Sequence, residues 1–292
     1  MENRNRSHDD KPIPVSFGLE EDWRLFAEQH QVFLQKWPNL VQTFQRVFLR
    51  TTETTSPAEK VLFILGQLIR EDFMEILLLC GNGYGVAGLK ILRGMYESAV
   101  TAAYLAKHPD EADRFRQYGR IHRGKLLNHA AKLFDLKRIF TEEKIAEIKQ
   151  DYEAAKRDFQ EPLCKKCKTT RTQMSWSRLD PGSMALSANP DLANLYLQCY
   201  FRPMLQTHTT MSALSAQVAE DPGGDLRFDG DAQRKHVDDA LRGAHCVMLF
   251  VLEGQNDYFN LGLRDEIAQR CEDFAEIWGT KPSGSATASE GQ

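Results

Sequence analysis

Apolar residues return at helical spacing along almost the whole chain. Trp23, Phe26, Phe33 and Trp37 share one face, and Pro38 is placed to end that helix. A short helix with Leu40, Phe44, Val47 and Phe48 follows. Ser56-Pro57-Ala58-Glu59 reads as a helix start, with Ser as N-cap, Pro at the first position and Glu closing a capping box. Leu62, Leu65, Ile69, Phe73 and Ile76 form its apolar stripe. After Gly81, Gly83 and Gly85 the spacing resumes in Leu89, Leu92, Tyr96, Val100 and Ala103, and His108-Pro109 stops it. Phe115, Tyr118, Leu126, Ala130 and Leu133 mark the next helix, and Thr141 caps one with Ile145, Ile148, Tyr152, Ala155 and Phe159.

Asn189-Pro190-Asp191 opens a long helix through Leu195, Cys199, Met204, Met211 and Val218, bent at Pro203. Asp231 opens another with Val237, Leu241, Ala244, Val247 and Val251. The last carries Ile267, Cys271, Phe274 and Ile277 and ends at Gly279. No sustained alternation of period two intervenes. The expected fold is all-α, eight or nine helices in a single bundle-like domain over residues 17–279, with polar tails at 1–16 and 280–292.

Composition adjusts this picture little. The chain has 292 residues, 42% apolar and 27% charged, which suits a globular core and excludes a collagen-like or disordered chain. A net charge of -4 supplies no global positive field toward nucleic acid or anionic lipid. Six cysteines are too sparse for a disulfide scaffold. The first residues lack the apolar stretch of a secretory signal, and Ile76 to Leu89 is too short and glycine-broken to span a bilayer. A cytoplasmic protein without membrane contact or cofactor is the expectation.

Five patterns carry candidate chemistry. Gly83-Tyr84-Gly85-Val86-Ala87-Gly88 matches a dinucleotide fingerprint, but that site needs a strand on either side of its helix. Here both flanks are helical, so a glycine-rich turn between packed helices is expected. Cys164 and Cys167 have the spacing of half a zinc site, or are two free thiols in a loop. Lys165, Lys166, Lys168 and Arg171, with Trp176 among them, form a basic segment suited to contacting RNA, whereas residues 220–239 are acidic. Arg202 and His208 have the Arg-to-His spacing of metal-independent helical ribonucleases. The same spacing recurs at Arg24/His30, Arg116/His122 and Arg123/His129, so it discriminates poorly. Arg93 and Glu97 lie one turn apart on an apolar helix, either as a solvent-facing pair or as a buried one needing further partners.

Leu89-Lys-Ile-Leu-Arg93-Gly-Met-Tyr-Glu97, then Tyr104, then Arg114-Phe-Arg-Gln-Tyr118 resembles an uncharacterised bacterial family of all-helical proteins, a domain of unknown function. Trp176, Tyr196, Tyr200 and His208-Thr209 look like its second half, with Thr209 in place of the usual Ser and Pro203 interrupting the late helix. The resemblance spans about residues 75 to 215. It implies that Arg93, Glu97, Tyr200 and His208 meet in one polar cluster. Its helical architecture is similar to HEPN-like proteins, which occur in toxin and anti-phage systems. Two functions follow as expectations. One is a protein-interaction or self-associating module, working as a homodimer or with a protein partner, within a defence system. The other is a HEPN-type ribonuclease using Arg202 and His208.

Overall fold

The computed structural model describes residues 18, 20–51, 56–163, 169–207, 210–215, 217–221, 223–229, 231 and 233–279. The candidates Cys164, Lys165, Lys166, Cys167, Lys168 and His208, and also Thr209, lie outside the described residues. In chain order the helices are α1 (Glu20–Gln29), α2 (Gln31–Phe48), α3 (Pro57–Gly81), α4 (Gly85–Lys107), α5 (Ala112–Ala130), α6 (Glu142–Lys156), α7 (Pro181–Ala188), α8 (Pro190–Asn194), α9 (Arg202–Thr207), α10 (Met211–Ser215), α11 (Val237–Phe259) and α12 (Arg264–Trp278). Two antiparallel ribbons join them, β1 (Gln160–Pro162) with β2 (Thr170–Thr172) and β3 (Val218–Glu220) with β4 (Leu226–Phe228). No helix among the described residues is long and apolar enough to cross a membrane.

The centre is α3, α4 and α11, whose apolar stripes bury Ile69, Phe73, Leu92, Tyr96, Val247 and Leu252 together. Ser56 starts α3 as the pattern requires. Its Oγ accepts the Glu59 N–H at 3.1 Å, and the Glu59 carboxylate accepts the Ser56 N–H at 3.0 Å. The glycine-rich stretch is the expected turn, with Gly83 at φ +77° and α4 beginning at Gly85. Gly85 lies against the start of α11, where a Cβ would come within 2.4 Å of the His236 carbonyl carbon and the Val237 nitrogen. Further along, Gly88 faces Ala240 and Gly243 faces Leu92, so α4 and α11 run parallel from a shared, tightly closed end.

Three expectations need correction. Pro38 does not end a helix; it sits inside α2, and the break falls earlier, at His30. Pro38 is on the exposed side, where the carbonyl that its missing N–H leaves unbonded can turn to water, while Leu40, Phe44 and Val47 keep the stripe buried. The long helix from Asn189 to Val218 is instead α8, a π turn at Leu197–Phe201, α9, α10 and the first residue of β3. Pro203 offers no N–H, and the helix widens into the π turn immediately before it. These breaks give twelve α-helical segments among the described residues rather than eight or nine. The two ribbons escape a periodicity reading because their strands are three residues long.

His245 lies in the middle of this core, edge-on to Phe33 and Phe274, with Nδ1 accepting the Trp278 indole N–H at 3.2 Å. Burial pushes its pKa down to about 3 from 6.5. The unfolded chain takes up a proton that the folded core refuses, so this contribution is full above pH 6.5 and is lost as pH falls toward 3. Urea midpoints should therefore drop between about pH 7.5 and about pH 5. His245→Gln, which keeps an acceptor for Trp278, should be weaker at neutral pH but decline less steeply. An unchanged slope in that variant would place the proton uptake elsewhere.

Candidate functional site

On α4, Arg93 and Glu97 share a face because they are four residues apart. The π turn brings Tyr200 over them: Arg93 Nη2 lies 3.5 Å from Glu97 Oε1 and 3.4 Å from the Tyr200 hydroxyl. The guanidinium carbon sits 5.0 Å from the Tyr200 ring centre, and Tyr196 stacks behind at 5.0 Å. The Tyr200 hydroxyl, partly offset by burial and helped by Glu97, raises the Arg93 pKa, so its charge is fixed. These polar contacts are long, and the ring contact holds the arginine as much as they do. Arg93, Glu97 and Tyr200 thus join α4 to the π turn.

Arg202 stands apart from that cluster. Its Nη2 is 3.4 Å from Asp239 Oδ2, and the same oxygen lies 3.6 Å from His236 Nδ1. A cleft of about 160 Å³ lies among Arg202, His236, Asp239, Arg242 and Gln206, with Leu89 of α4 in its wall. His236 Nδ1 and Gln206 Oε1 are both buried and make no hydrogen bond to the described residues. An Asp between an imidazole and a guanidinium can orient the imidazole for proton transfer while the guanidinium meets an oxyanion. The Arg202–Asp239 pair is half-exposed, so it adds little to stability. Sequence spacing missed His236 and Asp239 because only the fold carries them to Arg202. Asp239 read as one more member of an acidic run.

The Arg-Phe-x-x-Tyr segment has an architectural task. Arg114 donates Nε to the Trp176 carbonyl at 3.0 Å, Nη1 to the Asp158 carbonyl at 3.3 Å and Nη2 to Gln173 Oε1 at 2.7 Å, and its guanidinium covers the Phe159 ring at 4.4 Å. Tyr118 donates to the Gln173 carbonyl at 2.9 Å. Trp176 is 8% exposed, packed edge-on against Phe115 at 5.2 Å and Tyr104 at 5.9 Å. Stacking a base on Trp176 would require its ring to leave the core. Arg171 is on the surface but faces Glu161 across the ribbon at 2.6 Å, which offsets its charge. Among the described residues no three His, Cys, Asp or Glu side chains gather to hold a metal ion.

The fold and its clusters describe a mostly helical protein built on three long helices, with arginine contacts tying its later segments to them. The chain belongs to DUF5677, a family of unknown function, whose model matches residues 59–225. Arg93, Arg114, Tyr118, Trp176, Tyr200 and Arg202 lie inside the matched span, and His236 and Asp239 lie beyond it. No curated protein and no solved structure matches the chain.

Replacing Arg114 by Ala leaves two carbonyls and the Gln173 amide without their donor, which should cost about 2–4 kcal/mol by urea unfolding. Arg114→Lys should recover only part of this, because one ammonium cannot serve three acceptors in a fork. A loss below about 0.5 kcal/mol in the alanine variant would show that the crossing is held by its rings alone.

Proposed function

We propose that the chain is a self-associating helical module in which a second copy covers the turn between α5 and α6. The observation that carries this reading is the set of apolar side chains on that turn. Leu133, Phe134 and Ile139 on the turn, and Leu126 in α5 just before it, are each at least 60% exposed, and Phe140 is exposed as well. Single exposed leucines are ordinary, but several large apolar groups within one turn mark a surface that is covered in use. Lys132 stands among them, with Lys137 paired to Glu142 at 2.6 Å and Arg138 lying 3.9 Å from Asp135, so the turn carries exchangeable ion pairs beside its apolar groups. The β3–β4 ribbon has a complementary character: Leu226 and Phe228 are exposed beside Glu220, Asp221 and Asp225, with Arg227 between them and Asp229 paired to Lys235 at 2.8 Å. A two-fold arrangement lets each copy's turn meet the other's ribbon, apolar on apolar and basic on acidic.

Sedimentation velocity should give a dimer whose proportion grows with concentration. Phe134→Asp with Ile139→Asp should yield a monomer with unchanged circular dichroism. Arg138→Glu should weaken association, and Asp225→Arg should restore it in the same chain. A wild-type protein that stays monomeric at about 100 μM would end this reading.

The Arg202–Asp239–His236 arrangement favours a second reading, a metal-independent ribonuclease of HEPN type. In it an imidazole removes the 2′-hydroxyl proton, O2′ bonds to phosphorus, and the bond to O5′ breaks as the imidazolium gives its proton to O5′, leaving a 2′,3′-cyclic phosphate and a 5′-hydroxyl. Cleavage should then survive EDTA. Arg202→Ala should lower the rate by about 10²-fold or more, and either His208→Ala or His236→Ala should do the same and so identify the proton carrier. RNA left intact at micromolar protein, or normal cutting by all three variants, would exclude it.

A further inference from the structure

A cavity of about 540 Å³ opens between α4, α8 and α11 at the opposite end of the parallel pair from Gly85. Its floor is Ala99, Ala102, Ala103 and Ala106, whose methyl groups leave empty what larger side chains would fill. Three carboxylates line it. Glu253 and Asp257 are one turn apart on α11, a spacing at which like charges repel, and Asp191 acts on Glu253 from α8. Partial desolvation against the cleft wall and then Asp257 hold the Glu253 carboxyl above the usual range; Arg264 opposes this and Asp191 adds to it. Lys107 is the one basic side chain in the lining, against those three acids.

Two further observations point the same way. Gln255 is 5% exposed and lines the cavity; its Nε2 donates to the Leu62 carbonyl at 2.8 Å, while its Oε1 is buried with no hydrogen-bond partner among the described residues. The last turns of α4 and α11 both border the cavity, so the partial negative charge of two helix ends adds to that of the carboxylates. The cavity offers acceptors, negative potential and an aliphatic floor. An anionic or purely apolar ligand would meet the wrong partner on at least one side. The carboxylates do not converge as a metal set would, so the fitting charge is one spread along a chain.

We infer that this cleft binds an aliphatic polyamine, its methylene groups on the alanine floor and its ammonium groups at Asp191, Glu253 and Asp257. The site is separate from the association surface and from the Arg202 cleft.

Calorimetric titration of the full chain with spermidine, at about 0.15 M salt to screen diffuse attraction, tests this. The expected result is saturable one-to-one binding, with no heat from an uncharged diol of similar length and no displacement by equimolar magnesium. Glu253→Gln with Asp257→Asn should weaken binding about tenfold or more. Both side chains are at the surface, so circular dichroism should confirm an unchanged fold. Ala103→Leu, which fills the floor, should weaken it independently. No saturable binding at millimolar spermidine, wild-type affinity in the double variant, or displacement by equimolar magnesium would overturn the assignment.

Discussion

The contact on which this structure depends is the one between Gly85 and the backbone at His236–Val237. Only a residue without a Cβ lets the two chains come that close, and the Gly85 N–H uses the proximity to donate to the Gln233 carbonyl at 3.1 Å. It fixes the first turn of α4 against the first turn of α11. Parallel helices bring like dipole ends together, which is unfavourable, and acids answer it at this end. Asp238 and Asp239 lie in the first turn of α11, and Asp22 of α1 pairs with Arg234 just before it. Asp239 is therefore available to Arg202 and His236 because the helix start needs an acid there in any case.

The arginine and aromatic contacts within the matched span divide into two kinds. Arg114, Tyr118 and Trp176 hold the β1–β2 crossing onto α5, and their contacts are short and mostly to backbone carbonyls. Arg93 and Tyr200 hold the π turn onto α4 through a ring face and loose polar contacts. The first group is built as a clamp. The second leaves Arg93 Nε buried with no hydrogen-bond partner among the described residues, a polar group less completely satisfied than a purely structural role requires.

How much of this was legible in sequence depended on whether the signal was local. The Ser56 capping box and the glycine turn are contained within a few residues, and both formed as read. The resemblance implied a cluster of Arg93, Glu97, Tyr200 and His208; the first three meet although 103 residues separate Glu97 from Tyr200, and His208 lies outside the described residues. Pro38 misled because a proline on a helix's exposed side costs one hydrogen bond, which a buried stripe on either side outweighs. Tracing one helix from Asn189 to Val218 failed for the opposite reason. Its apolar positions are sparse, so Pro203 and the Thr210 cap decided the breaks. The Arg202–Asp239–His236 arrangement had no sequence signature, because it joins segments more than thirty residues apart with no shared period.

The parallel pair also explains why charge is laid out unevenly along the molecule. Where α4 and α11 start, glycines close the gap and the acids of that end are matched by Arg202 and Arg234. Where they finish, alanines leave a cavity and the carboxylates outnumber Lys107. A helix pair can be tight along its whole length only if small residues continue on both sides, or if large ones interlock. Here α4 keeps alanines to its last turns while α11 turns to Glu253, Gln255 and Asp257, so neither condition holds. The same residues that forgo packing there create a solvated, negative, apolar-floored space. Stability is supplied at one end of the pair, and the other end is left open to a ligand.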